Sequence, residues 1–125
     1  MNTFLQTLNR TFGSRMAASG RFLLIETVGR RTGRRHRTPV GFEEAGGALC
    51  VGAGSAAAHW AHNLLAQPSC RAYSGGATRS YRAEPLEGNA RETALHAIKG
   101  RYGPGMADRI GAGPVFRLVP VEVGD

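Results

Sequence analysis

Residues 30–37 hold five arginines in eight positions, inside the stretch Gly29-Arg30-Arg31-Thr32-Gly33-Arg34-Arg35-His36-Arg37-Thr38-Pro39. The apolar run Phe22-Leu23-Leu24-Ile25 precedes it and a second strand-like segment follows. So many like charges cannot be buried together, so the stretch must lie at a surface between two strands. Two glycines favour a tight reversal, because glycine takes positive φ freely. The stretch therefore reads as a turn that gathers guanidinium groups at one end of a sheet. Guanidinium forks bind phosphate and carboxylate bidentately and stay charged at any working pH. A polyanionic small molecule or nucleic acid is the matching ligand chemistry, and a solvated arginine hairpin is the bland alternative.

The 125 residues suit one domain, here 1–125, with a modest core. The formal charge of +7 favours acidic partners. Of the 16 basic residues only Lys99 is not arginine, which lowers the weight of any single arginine. Cys50 and Cys70 have no close spacing and no secretion signal beside them. They read as buried, reduced thiols, and a cytoplasmic location is expected. No apolar run approaches the roughly 20 residues of a membrane span.

Phe4, Leu8, Phe12 and Met16 recur at steps of four and predict an amphipathic helix over 1–20. It would pack on the barrel or at a homodimer contact. The sharper alternative is peripheral contact of residues 1–16 with anionic lipid at the inner face of the membrane. Strands are expected over Arg21–Thr27, Thr38–Glu44 (opened by Pro39), Ala48–Gly52, Ser69–Ser74, Thr78–Glu84 and Pro114–Val121. Helices are expected over His59–Ala66, stopped by Gln67-Pro68, and over Gly88–Arg101. Met106–Ile110 allows at most one helical turn. This order is not the alternating βα order of a doubly wound sheet. Six short antiparallel strands over 21–121, with two to three flanking helices, predict a mainly β (α+β) small barrel.

Most catalytic signatures are missing. Gly52, Gly54 and Ala57 match G-x-G-x-x-A, but no parallel βαβ unit or ribose-binding acid accompanies them. Ser55 lacks a G-x-S-x-G context. His59 and His62 lack a third metal ligand, and His36 and His96 stand apart. Glu26, Glu84 and Glu87 look isolated. A chain this poor in catalytic side chains, if an enzyme, relies on a cofactor for its chemistry. The small-residue loop Gly52–Ala58 would let an anion approach backbone N–H groups ahead of a helix.

Two stretches are more specific. Thr27-Val28-Gly29-Arg30-Arg31-Thr32-Gly33, followed by Arg37-Thr38-Pro39, resembles the T-x-G-R-[RK]-[ST]-G…P hallmark of the deazaflavin-dependent nitroreductase and quinone reductase family. Trp60-Ala61-His62-Asn63-Leu64-Leu65-Ala66-Gln67-Pro68 resembles its second signature, W-x-x-N-L-x-A-x-P. The resemblance implies a split β-barrel of the FMN-binding type that binds the deazaflavin coenzyme F-420. It implies hydride transfer from reduced coenzyme to a quinone, nitroaromatic or similar small-molecule acceptor. Carried over by position, Arg30, Arg31 and Thr32 would hold the phosphate and acidic tail. His36, Arg37, Thr38 and Pro39 would line the next part. Gly52, Ala53, Gly54 and Ser55 would lie against the coenzyme by backbone contact, and Trp60 and Asn63 near its ring. Tyr102 is a candidate proton donor. His36 stands where relatives often have arginine, Ser55 where some have lysine, and the loop between Gly54 and Trp60 is short.

Three alternatives remain open at the level of sequence. The barrel could use FMN, since one arginine site can serve either phosphate. It could bind the coenzyme without turnover. It could be a basic surface-binding protein; nucleic acid is not expected, because few aromatics interleave with the arginines and no recognised module is present.

Overall fold

Short apolar strands cut by glycine turns leave each strand with one face to bury, and closing the sheet on itself buries all of them at once. In the computed structural model, which describes residues 22–45, 47–74, 76–102 and 110–121, six antiparallel strands do this. They are β1 (Leu23–Val28), β2 (Arg35–Ala45), β3 (Ala48–Gly52), β4 (Ser69–Ser74), β5 (Ala77–Pro85) and β6 (Val115–Pro120). They close in the order β1-β2-β3-β6-β5-β4. Among the described residues two helices accompany them, α1 (His59–Ala66) and α2 (Gly88–Arg101). The helix expected over 1–20, its lipid-contact alternative, and all but Ile110 of the turn expected over Met106–Ile110 lie outside the described residues. Among the described residues no helix is long and apolar enough to cross a membrane.

The alternation of each strand sorts its side chains into two cores. Leu23, Ile25, Val40, Val51, Cys70, Ala72, Ala83, Phe116 and Leu118 face inward, and α1 adds Trp60, Ala61 and Leu64 to the same cluster. Pro68 ends α1, because a proline pushes the residue before it out of the helical region. Gln67 is accordingly extended, with φ −141° and ψ 100°. The second cluster lies outside the barrel wall. There Ala94, Leu95, Ile98 and Tyr102 cover Cys50, Val115 and Ile110.

One boundary differs from the expectation in a way that matters. The second strand starts at Arg35, not Thr38, because Val28 pairs with Arg35, Thr27 with His36 and Glu26 with Arg37. The arginine stretch is thus a short turn followed by a strand. Pro39 does not open β2 but sits opposite Leu24. It is tolerated there because β3 pairs with β2 only from Gly41 onward, so the other edge at Pro39 has no β3 partner. The two glycines of the turn also differ. Gly33 has φ +72°. Gly29 does not take positive φ; a Cβ there would come within 2.8 Å of Thr32 Oγ1 and 2.9 Å of His36 Nε2. It is glycine for space, and Gly33 for conformation.

Candidate functional site

The turn between β1 and β2 is closed by backbone bonds from Gly29 N–H to the Arg34 carbonyl (2.7 Å) and from Gly33 N–H to the Gly29 carbonyl (2.8 Å). The Arg34 N–H donates to Thr32 Oγ1 at 3.2 Å. This folded turn faces the N-terminal end of α1. Between them lies a cavity of about 350 Å³, lined by Thr27, Gly29, Arg30, Arg31, Thr32, His36, Arg37, Thr38, His59, Trp60 and Asn63. That volume falls within the range of small-molecule sites.

Of the positions expected from sequence, Arg30, Arg31, Thr32, His36, Arg37, Thr38, Trp60 and Asn63 meet at this cavity. Pro39 is next to it along β2 but is not part of the lining. Gly52, Ala53, Gly54 and Ser55 are not brought in either. Gly52 packs against Ile110 and Ile98. Ala53 is fully buried, its N–H donating to the Pro114 carbonyl and its carbonyl accepting from Gly111 and Gly113. The loop that follows satisfies itself: Ser55 Oγ accepts from Ala57 N–H, and the Ser55 carbonyl from Ala58 N–H. Tyr102 also lies elsewhere. Its ring stacks on Phe22 at 5.5 Å, and its hydroxyl accepts from the Phe42 N–H at 3.0 Å. The end of α2 places it against the barrel wall, outside the lining of this cavity.

Thr27, Gly29 and His59 belong to the lining and were not singled out from sequence. Each had a signal. Thr27 and Gly29 are the first and third positions of the arginine motif, and His59 immediately precedes Trp60.

Trp60 serves both cavity and core. It is buried, lines the cavity and packs on Phe116 with ring centroids 5.9 Å apart. Asn63 ties the two signatures together. Its Oδ1 accepts from the Arg30 N–H (3.2 Å) and from Arg30 Nη1 (2.8 Å), and its Nδ2 donates to Thr27 Oγ1 (3.3 Å).

Glu26 is the correction to the expectation of isolated acids. It is only 7% exposed. Arg37 Nε donates to its Oε2 at 2.9 Å, the Tyr73 hydroxyl to the same oxygen at 3.1 Å, and Arg35 Nη1 approaches its Oε1 at 3.5 Å. Burial pushes its pKa up, but the hydrogen bonds from Arg37 and Tyr73 and the charges of Arg37 and Arg35 outweigh this and hold the carboxyl below 4.5. The Arg37 pKa is raised, first by its hydrogen bond to Glu26. Glu84 likewise meets Arg117, at 3.6 Å. Both acids face arginines directly across the sheet, Glu26 opposite Arg37 and Glu84 opposite Arg117.

The lining therefore combines three arginines and two histidines with no carboxylate among its described residues. Arg37 is already paired with Glu26. Arg31 is exposed and has no hydrogen-bond or ion-pair partner among the described residues. The arrangement can hold a phosphate or carboxylate at the turn and a flat, less polar group toward Trp60. No group of three or more potential metal ligands occurs among the described residues.

The family model for F420H(2)-dependent quinone reductase matches residues 1–123. The chain belongs to this family. It is an oxidoreductase that uses coenzyme F-420. Solved structures with the same split-barrel fold include an F420-H2 dependent reductase, FDR-A, at 24% identity, with 78% of this chain and 93% of that chain covered and a TM-score of 0.62. A domain-swapped dimer is 22% identical, covers 90% and 97% and has a TM-score of 0.63. The haem storage protein HutZ of Vibrio cholerae is 18% identical, covers 91% of each chain and has a TM-score of 0.63. A search of curated proteins returns no match. The donor set fits the family's coenzyme, because a phosphorylated, acidic tail needs a cationic wall without competing carboxylates.

Proposed function

We propose that this reductase delivers a hydride from coenzyme F-420 to a quinone or nitroaromatic acceptor, with the coenzyme held in the cavity between the arginine turn and α1. The observation that carries the reading is the acid-free cationic lining, in a chain of this family. When bound, the coenzyme supplies the hydride. The protein's part is to bind, orient and exclude water. Arg31, Thr32 and His36 hold the phosphate and acidic tail, with Arg30 and Arg37 completing the positive wall. Trp60 gives the ring end a dry, flat surface, and Thr38 flanks it. With Tyr102 bonded to Phe42, the acceptor's proton comes from solvent at the open side of the cavity.

The acceptor class is tested by mixing reduced coenzyme and protein with a menaquinone analogue or a nitroaromatic and following reoxidation by absorbance. Reoxidation should require protein and be lost when Trp60 is replaced by Ala. Reoxidation no faster than the protein-free rate with both acceptors would remove this acceptor class. A homodimer is part of the reading, supported by the domain-swapped dimer of similar fold, and light scattering at micromolar concentration checks it.

A further inference from the structure

Arg30 of the first signature and Asn63 of the second lie 33 residues apart, yet the side chains of the two signatures form one hydrogen-bonded unit. We propose that Asn63 is the positioning residue of this site. Its amide fixes the arginine turn to α1, and Arg30 belongs to that tie while the ligand's anion falls to Arg31. The inference rests on the reading of the cavity as the coenzyme site.

Asn63 is 5% exposed and its amide is engaged at both ends. Oδ1 takes two bonds from one residue, the backbone N–H and the guanidinium of Arg30. Nδ2 donates to Thr27, itself 1% exposed on β1. A side chain that grips the backbone of a turn sets the position of that turn, not only of one side chain. The rest of the Arg30 guanidinium goes to the start of α1: Nη1 reaches the His59 carbonyl and Nη2 the His59 Nδ1, both at 3.4 Å. A guanidinium can only donate. His59 Nδ1 is therefore the acceptor, which leaves the imidazole proton on Nε2. Thr27, Asn63, Arg30 and His59 thus link β1, α1 and the turn in one network, and fully paired networks of this kind rigidify what they join. Arg31, the next residue, has no such engagement among the described residues and lines the same cavity.

An amide that contacted the coenzyme directly would give the same loss on truncation, so the conservative variant decides. An aspartate at this position can accept both Arg30 bonds and a third from the Thr27 hydroxyl, keeping the tie while removing the amide donor. The experiment is a fluorescence titration with oxidised F-420 of the wild type, Asn63→Ala, Asn63→Asp, Arg30→Ala, Arg30→Lys and Arg31→Ala. Asn63→Ala should weaken binding by about tenfold or more, and Asn63→Asp by no more than about threefold. In the Arg30→Ala background, which keeps the residue-30 backbone N–H and the Thr27 bond, Asn63→Ala should have a smaller but still measurable effect; in the Arg31→Ala background it should keep its full effect. Arg30→Lys, which keeps the charge but not the fork, should be as weak as Arg30→Ala.

Hydrogen exchange of residues 29–34 in the coenzyme-free protein gives the second readout. Exchange should accelerate in Asn63→Ala and stay at the wild-type rate in Asn63→Asp. The proposal is overturned if Asn63→Asp binds as weakly as Asn63→Ala, if Arg30→Lys restores binding, or if exchange of the turn does not change in Asn63→Ala. Should Asn63→Ala not fold, Asn63→Asp and the two Arg30 variants decide alone. A wild type that does not bind F-420 sinks the site reading instead, and the exchange measurement still judges the tie.

Discussion

Among the described residues the barrel is covered in two places, and by opposite chemistry. On its side wall, α2 covers Cys50 and Val115 with Ala94, Leu95, Ile98 and Tyr102. Polar groups there serve the packing: the Tyr102 hydroxyl meets Phe42, and Arg91 donates to the Gly111 and Gly113 carbonyls at 2.8 and 2.9 Å. At the end of the barrel, α1 fills the interior with Trp60, Ala61 and Leu64 and meets the arginine turn through polar bonds, Asn63 to Arg30 among them. A cavity with a cationic lining results. The side wall holds the fold together, and the barrel end trades packing for a cavity. The lesson is that changes on the side should cost stability without affinity, while changes at the end should cost affinity first.

Trp60 belongs to both regions and should show the largest effect. Trp60→Ala should destabilise by about 3–5 kcal/mol in denaturant unfolding, and coenzyme binding should be lost with it. Gly113→Ala tests the side alone. A Cβ there would run into the Ser55 backbone, which cannot rotate away. A loss of about 2–3 kcal/mol is expected, with the affinity of the folded fraction unchanged. If affinity falls as well, the two regions are not separable.

Glu26 sits at the border, on the outer face of β1 but bonded to Arg37 of the lining. Its pKa is lowered by folding, so its contribution is fully present above its unfolded value near 4.5 and is lost as pH falls through the lower folded value. Glu26→Gln should cost about 1–2 kcal/mol at pH 7, because Arg35 and Arg37 remain partly solvated. It should also flatten the loss of stability that the wild type shows below pH 4.5. An unchanged acid limb would mean that the pairing is not present in solution.

Tyr102→Phe should cost about 1 kcal/mol, the value of one hydrogen bond, and leave turnover with reduced coenzyme unchanged. A fall in turnover would return Tyr102 to the site. The smallest effect concerns the thiols. Burial pushes Cys70 up to about 12 and raises Cys50 as well. A thiol reagent at pH 8 should label neither while the protein is folded.

Much of this was legible in the sequence where glycine and proline punctuate it. Both helices and the strands Ala48–Gly52 and Ser69–Ser74 fall where the residues place them. The arginine stretch was harder. Arg35 and Arg37 look like turn residues because they are charged, but the pairing of Val28 with Arg35 decides that they are strand. Glu26 looked isolated for a related reason: its partners lie across the sheet, and register is not a local property of sequence. Tyr102 was misplaced because its position depends on how α2 packs, not on the helix itself. The backbone of Gly52–Ser55 looked open to an anion, yet the loop at 111–114 occupies Ala53. The association of the two signatures was visible as co-occurrence. Its cause, the bond between Asn63 and Arg30, was not.

The most direct test of the central claim is a fluorescence titration of oxidised F-420 into the wild type and into Arg31→Ala, with FMN in parallel and thermal unfolding as the control for fold. The cavity reading requires binding of F-420 in preference to FMN by the wild type. It also requires affinity roughly tenfold or more weaker in Arg31→Ala, as expected for one lost charge-assisted hydrogen bond, at an unchanged melting temperature. Equal affinity of wild type and Arg31→Ala for F-420 would contradict it and move the coenzyme away from the arginine turn.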